Sequence, residues 1–188
     1  MPSLSQAKNL GAVGSILVLL TAVPSVGGLF GIVGFILMLV AIKYISEIVA
    51  DRSIFNNMLA AVGLAIVALV VGTLVVVGSV MRFVGLNSLT MGPDFNPSTV
   101  PAGDWIGLIG SVILGLAVVW VVMIVSAVFV RKSYGSIASK LNVSMFGTAG
   151  LIYLIGAATT IVLVGFVLLL VAQILLVVAF FSIQDRSA

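Results

Sequence analysis

The sequence predicts an all-α fold, a polytopic membrane helix bundle of about six transmembrane helices in which two similar helical hairpins flank two ordinary spans. Composition is the first observation: 62% of the 188 residues are apolar and only 7% are charged. Mean hydropathy is accordingly +1.42. The second observation is the length of two uncharged stretches, Asn9–Ile42 and Leu141–Gln184. Such a chain is typical of an integral membrane protein.

Each of these stretches is too long for one membrane crossing and long enough for two, because about 20 helical residues cross a hydrocarbon core. Proline and glycine favour a turn in the first stretch at Pro24–Gly28, and a weaker break lies at Gly156–Thr160 in the second. One long helix kinked at Pro24, or a re-entrant hairpin, is the alternative for the first stretch. The predicted spans are residues 10–23, 28–44, 58–81, 105–130, 146–158 and 161–181, all within one membrane-embedded domain covering residues 1–188.

An internal repeat supports the two hairpins. The segments IVGFILMLVAI at Ile32–Ile42 and LVGFVLLLVAQ at Leu163–Gln173 agree at seven of eleven positions. This agreement predicts a duplicated hairpin, although apolar sequence of low complexity also produces such matches. The one sharp difference inside the repeat is Gln173 in place of Ile42.

Basic residues predict the orientation of the chain. With six spans, seven of the eight basic residues flank one side and only Arg82 flanks the other. By the positive-inside rule, both termini are expected in the cytoplasm, with cytoplasmic loops at 45–57 and 131–145 and an external loop at 83–104. A cleaved signal peptide over Leu10–Val23 is the alternative, but the next apolar segment follows so closely that cleavage is not expected. The seven residues are Lys8, Lys43, Arg52, Arg131, Lys132, Lys140 and Arg186.

Several classes of chemistry are excluded by residues that the chain lacks. Without Cys or His, it has no disulfides, no Cys/His zinc site and no imidazole for haem ligation or catalysis. No charge lies at the centre of a predicted span, which argues against a proton-coupled carrier or pump. We therefore expect no enzymatic activity, no cofactor, no metal and no nucleic acid partner. The expected partners are the lipid bilayer and other membrane subunits or a second copy of the chain.

Polar side chains within the spans are the first candidate for function. Gln173 is the most informative, because an amide in hydrocarbon needs a hydrogen-bond partner. Together with Thr159 and Thr160 it lines a passive conduit if these groups face a common cavity; otherwise its hydrogen bond fixes helix packing. The remaining polar candidates are Thr21, Thr73, Ser79, Ser111 and Ser126.

The juxtamembrane segment KYISEIVADRSIFNN at Lys43–Asn57 is the second candidate. Its first two charged side chains stand four residues apart and can pair on a helix. The segment is either a regulatory or partner-binding element on the cytoplasmic membrane surface or a helix end continuing into water, with Ser53 or Asn56 capping the next span. The charged residues of this candidate interaction segment are Lys43, Glu47, Asp51 and Arg52.

The third candidate is the external loop at residues 83–104, whose prolines and glycines favour an irregular, turn-rich cover. A plain connector is the simplest interpretation of this loop. The alternatives are a cap over a pore, a seat for a small ligand and a contact with another subunit. Asp94 and Asp104 are too few to predict a metal site.

Four segments of the chain resemble an archaeal multi-pass membrane family known as domain of unknown function 996. They are SLSQAKNLGAVGSILVLL, LVAIKYISE, DRSIFNN and GLIYLIGA…VGF…FFSI. The resemblance covers nearly the whole chain, and DRSIFNN after an IKYIS helix end is its most specific part. It implies a protein of the archaeal cytoplasmic membrane, and the family offers no known activity or functional residues to transfer.

These observations favour a structural or accessory subunit of a membrane assembly. The alternative is a passive channel or carrier for a small or weakly polar solute, formed between the two hairpins. A membrane enzyme comes last, because no acidic residue has a convincing catalytic partner in the sequence.

Overall fold

The structure is a computed structural model and describes residues 2–23, 27–91, 96, 98 and 100–184. Residues 24–26 of the predicted break at Pro24–Gly28 lie outside the described residues, as do Asp94 and Arg186, and the other two residues of the break begin α2. Six α-helices and no strand are found within these ranges, which confirms the all-α prediction. The helices are α1 (Leu4–Leu19), α2 (Gly27–Ile48), α3 (Arg52–Met91), α4 (Ala102–Leu141), α5 (Ser144–Thr159) and α6 (Val164–Phe181).

Among the described helices, five are long and apolar enough to cross a membrane: α2, α3, α4, α5 with the turn that follows it, and α6. The first helix, α1, has only 16 residues. Its start is well defined, because Ser3 accepts a hydrogen bond from the Gln6 amide while the Gln6 side chain accepts one from the Ser3 amide. This reciprocal capping arrangement satisfies two amides that the first turn of a helix leaves unpaired.

Helices extend well beyond the predicted spans, so the connecting loops are shorter than expected. The predicted loop 45–57 shrinks to residues 49–51, and the predicted loop 131–145 to residues 142–143. The prediction of an irregular segment from residue 83 is also wrong, because α3 continues to Met91. Residues 83–91 contain no proline, and Pro93, the first residue unable to donate to a helix, lies just beyond them. An apolar run marks where a helix crosses the membrane, and polar turns extend the helix without marking its end.

The start of α3 also differs from the prediction that Ser53 or Asn56 caps it. Helix α3 begins at Arg52, so Asp51 is the capping residue. A carboxylate oxygen of Asp51 accepts hydrogen bonds from the Ser53 amide at 3.0 Å and from the Ser53 hydroxyl at 2.6 Å. Asn56 lies within the helix because the helix starts more than a turn before the apolar run.

The chain divides into two compact units, and α3 and α4 contribute to both. The first unit comprises residues 1–62 and 124–188. In it, α1 and α2 form one hairpin, α5 and α6 form another, and α1 also packs against α6. The ring of Phe146 meets the ring of Phe180 edge-on at 5.0 Å. All six helices supply buried side chains to this core, among them Ala7, Ile42, Ile54, Ile137, Phe146 and Phe180.

Glycine contacts hold each hairpin of the first unit together. A Cβ atom on Gly34 would lie 2.6 Å from the carbonyl oxygen of Gly14, so the backbones of α1 and α2 touch there. Gly165 of α6 is packed in the same way against the backbone of Gly156 in α5. Gly34 lies well inside α2, whereas Gly165 is the second residue of α6. The two repeat segments thus stand at different distances from their turns, and the duplication stays a prediction.

The turn of the second hairpin lies slightly later than the predicted break. After α5, a short 3₁₀ helix covers Thr160–Val162, and Leu163 then adopts a positive φ of 58°. A left-handed backbone costs a leucine free energy, because its Cβ crowds the carbonyl oxygen. We infer that the packing of α5 against α6 determines this turn. Residues 160–163 contain no glycine or proline, so the sequence does not indicate the turn there.

The second unit comprises residues 63–123, the parts of α3 and α4 on either side of the segment that joins them. The two helices approach closely where Gly72 packs against the side chain of Val119 and Gly115 against that of Val75. Most of the large apolar side chains in this unit are exposed. That pattern is typical of helices that face lipid or another protein.

Candidate functional site

Gln173 makes the interhelical hydrogen bond expected of an amide within a span. Its Nε2 donates to the carbonyl oxygen of Ser15 at 3.1 Å and lies 3.7 Å from the sulfur of Met38. One side chain of α6 thereby contacts both helices of the first hairpin. The acceptor is a backbone carbonyl, and this arrangement positions helices without creating a reactive group.

Thr159 and Thr160 lie elsewhere, at the turn between α5 and α6. The Thr159 hydroxyl donates to the carbonyl oxygen of Ile155 at 2.8 Å, and that of Thr160 donates to the carbonyl oxygen of Ala157 at 2.6 Å. Both bonds stay within the same turn of helix, as is usual for threonine in apolar surroundings. These hydroxyls and Gln173 therefore make separate helix contacts.

Two serines of α4 form a pair of bonds to α3. The Ser126 hydroxyl donates to the carbonyl oxygen of Ala61 at 2.8 Å, and the Ser133 hydroxyl donates to that of Ile54, also at 2.8 Å. The donors and the acceptors are both separated by seven residues, or two helical turns, in antiparallel order. Ser133 was not among the residues predicted from the sequence, although its spacing of seven residues from Ser126 would have indicated it.

The juxtamembrane candidates surround the short turn between α2 and α3. Lys43 and Glu47 approach to 4.0 Å, and both side chains are about half exposed. Arg52 is exposed. Hydrogen bonds from the hydroxyl and the amide of Ser53 lower the pKa of Asp51 below its ordinary value, and the charge of Lys140 contributes in the same direction. Three of the four residues are thus free to meet solvent or a partner, while Asp51 serves the helix.

Four parts of the chain meet at the same end of the first unit. The Lys8 ammonium donates to the carbonyl oxygen of Ile183 at 2.9 Å, which joins the start of α1 to the segment after α6. Lys140, at the end of α4, acts electrostatically on Asp51. A small cavity of about 160 Å³ is lined by Leu4, Lys140 and Ile183, among others. We call this region the shared end of the first unit.

A larger groove lies in the second unit, between α3 and α4. Its volume is about 520 Å³, within the range of small-molecule sites. Apolar side chains line one part of it, and Arg82 and Asp104 line another. From the sequence, Arg82 is expected only to flank the outer side, and Asp104 is considered only as part of a metal site that the sequence does not predict. The lining comprises Leu74, Val75, Gly78, Ser79, Arg82, Phe83, Gly103, Asp104, Gly107, Leu108 and Ser111.

The described residues contain no group of three or more acidic side chains able to hold a metal ion. Lys43 and Glu47 pair with each other, and Lys8 and Asp51 bond to backbone groups. The arrangement is suited to fixing helices and presenting surfaces.

Comparison with known proteins identifies the family. The family described as "Protein of unknown function (DUF996)" matches residues 30–174. An uncharacterised protein of Methanocaldococcus jannaschii, MJ1644, is 32% identical over 182 residues, which cover 97% of this chain and 94% of that protein. No solved structure matches significantly. The chain therefore belongs to the DUF996 family of proteins of unknown function.

Proposed function

We propose that this protein is a structural or accessory subunit of an assembly in the archaeal cytoplasmic membrane, without catalytic activity, cofactor or nucleic acid partner. The observation that carries the proposal is the apolar, glycine-bearing surface of the second unit. Only 11% of the most apolar window of α3 and 17% of that of α4 are buried, against 28% in each of the other three candidate spans. Two long helices thus offer most of their surface to lipid or to a partner.

Open glycines favour a protein partner for part of this surface. A Cβ atom on Gly63, Gly85 or Gly110 would meet no atom within 4 Å. Small residues on an exposed face allow another helix backbone to approach closely, and this is how membrane helices associate. Glycine costs a helix about 1 kcal/mol relative to alanine, so its repeated use on an exposed face needs a reason outside the chain.

The polar contacts of the first unit give no support to the alternative of a passive conduit. That hypothesis required Gln173, Thr159 and Thr160 to face a common cavity. Their hydrogen bonds instead end on three different backbone carbonyls, those of Ser15, Ile155 and Ala157. A packing role accounts for all three.

Crosslinking in native membranes tests the proposal. The chain has no cysteine, so a single cysteine at exposed Ile113, next to Gly110 on α4, gives a unique crosslinking site. We expect one dominant, stoichiometric adduct, with a second subunit or with another copy of the chain. Gly110→Leu should abolish that adduct by blocking backbone approach, whereas Ile106→Leu, on the same helix and also exposed, should leave it unchanged. A chain that yields no adduct, or the same adduct with all variants, contradicts an assembly role for this surface.

A further inference from the structure

The groove of the second unit has defined limits at both ends. At one end, α3 and α4 are in contact through Gly72 with Val119 and Gly115 with Val75. At the other, the rings of Phe83 and Trp105 are in contact, with their centroids 4.6 Å apart and their planes tilted by 49°. Between these two contacts the helices separate. The space is therefore a consequence of how the pair is built and is closed by specific side chains.

Glycines keep the groove open. A Cβ atom on Gly78, Gly103 or Gly107 would meet no atom within 4 Å, and all three residues line the space. The glycines at the helix contact differ, because valine side chains of the opposite helix pack directly against Gly72 and Gly115. Glycine thus allows the two helices to touch at one level of the pair, and it leaves open space between them at the level of the groove.

The lining changes character along the groove. Leu74, Val75 and Leu108 lie toward the glycine contact, while Arg82 and Asp104 lie toward the aromatic pair. Leu74 and Arg82 are eight residues apart on α3, a rise of about 12 Å at 1.5 Å per residue. An occupant with one apolar part and one charged part fits this gradient.

The charges near the aromatic pair specify the polar part of the occupant. Arg82 is the only basic residue in the sequence of the second unit. In the described part of the chain, it makes no ion pair within 4.0 Å with Asp104, although both line the groove. A guanidinium is a strong partner for phosphate, to which it can donate two parallel hydrogen bonds. The carboxylate of Asp104 attracts a cation and repels an additional anion.

We propose that this groove binds one phospholipid, with its phosphate on Arg82, the amine of its head group toward Asp104 and the first part of one hydrocarbon chain along Leu74, Val75 and Leu108. A lipid fits better than a water-soluble solute, because the stretches of α3 and α4 that line the groove also carry exposed aliphatic side chains, such as Ile106, Leu114 and Val77. The remainder of the chain then lies against those side chains. This proposal is independent of whether the protein has a protein partner.

Native mass spectrometry of the purified full-length chain tests the proposal. The probes are a phosphoethanolamine lipid and a phosphoglycerol lipid with identical chains, added in the same detergent. We expect one bound lipid, with the phosphoethanolamine form retained more strongly. Arg82→Gln should lower its retention about tenfold, as expected for the loss of a charge-assisted hydrogen bond. Arg131→Gln, which removes an exposed arginine from the first unit, should have no effect.

A second pair of variants tests the apolar part of the site. Gly107→Leu fills the groove and should abolish specific retention, and Gly78→Leu should do the same from the opposite helix. Gly135→Leu is the matched control, because it adds the same side chain to the same helix as Gly107→Leu at an open position outside the lining. No side chain has to move for the new Cβ atom at any of these positions, and unchanged thermal unfolding in detergent verifies that the variants fold.

Three outcomes overturn the proposal: equal retention by Arg82→Gln and Arg131→Gln, equal retention by Gly107→Leu and Gly135→Leu, or equal retention of both lipids by the unmodified chain. The first outcome would mean that the lipid binds only through non-specific apolar contacts. The second would mean that it does not bind in the groove, and the third would mean that Asp104 does not recognise the head group. The measurement uses the purified chain alone. Its failure is therefore distinct from a failure of the crosslinking experiment.

Discussion

At the scale of single residues, the polar side chains of the first unit bond mainly to backbone carbonyls. Gln173, Ser126 and Ser133 each donate to a carbonyl oxygen on a different helix. A backbone carbonyl in a helix can accept a second hydrogen bond without leaving its own donor, so such bonds add contact between helices at no cost to either. A hydrogen bond from the Gln173 amide could be predicted from the sequence, because an amide in such apolar surroundings needs a hydrogen-bond partner. The acceptor, the carbonyl oxygen of Ser15, could not be predicted, because it depends on how the helices pack.

Replacing Gln173 with leucine measures the value of its hydrogen bond. Q173L keeps the side-chain volume nearly constant and should lower the free energy of unfolding by about 0.6 kcal/mol, and by no more than about 1.7 kcal/mol, as found for interhelical bonds in membranes. Thermal or denaturant unfolding in detergent gives the difference. Thr160→Val, which removes a bond within one helical turn, should cost less, and an equal cost for the two variants would count against a role of Gln173 in joining helices.

At the scale of helices, the sequence predicts where the apolar part of each helix lies and fails to predict where the helix ends. About six transmembrane helices are expected, and the described residues form six α-helices, of which five are long and apolar enough to cross a membrane. Helix α4 extends eleven residues past the predicted span end at Val130, to Leu141. The added turns, RKSYGSIASKL, contain helix-compatible residues and no proline. Hydropathy reports the surrounding medium, whereas the end of a helix depends on caps and turns, such as Asp51 before α3.

The cap at Asp51 gives the start of α3 a dependence on pH. Because the bonds from Ser53 lower the pKa of Asp51 in the folded state, the carboxylate stabilises the fold above its unfolded pKa. This contribution is lost as the pH falls through the lower, folded value. The midpoint of thermal unfolding should therefore decrease on acidification into that range, and Asp51→Asn should reduce the decrease. An unchanged acid response in D51N would show that other carboxylates account for it; Glu47→Gln, in the adjacent turn, is the control.

The groove of the second unit lies beyond prediction at this scale for a specific reason. Gly72, Gly78, Gly107 and Gly115 are equivalent in sequence terms, each being a glycine within an apolar helix. Two of them are filled by valines from the opposite helix and two face open space. That difference depends on where two helices diverge, which no local pattern records.

At the scale of the whole molecule, the first unit agrees with an even number of crossings. The start of α1, the turn before α3, the end of α4 and the segment after α6 gather at the shared end. Helix α1 is short, yet it packs along both α2 and α6 and is followed by a 3₁₀ turn at Leu20–Ala22. The charge asymmetry of the sequence predicts that the shared end faces the cytoplasm.

Cysteine labelling tests this orientation directly, because the chain has no cysteine of its own. Single cysteines at the exposed positions Ser5, Ser98 and Ser139 should react with a membrane-impermeant maleimide from two different sides. Ser5 and Ser139 variants should be labelled only from the cytoplasmic side, and the Ser98 variant only from outside. Labelling of Ser5 and Ser139 from opposite sides would mean an odd number of crossings between them and would exclude the six-span topology.

The bond from Lys8 to the carbonyl oxygen of Ile183 has a consequence for biosynthesis. The two partners are separated by 175 residues in the chain. At about 5–20 residues per second, a ribosome needs roughly 10–35 s to synthesise the segment between them. The second unit is a continuous stretch of chain and is complete long before that. The first unit, by contrast, is completed only after the second unit has been synthesised. In the finished protein, the ring of Phe180 in α6 covers α1 at Gly11. In the nascent chain, this side of α1 therefore stays uncovered until α6 has entered the membrane.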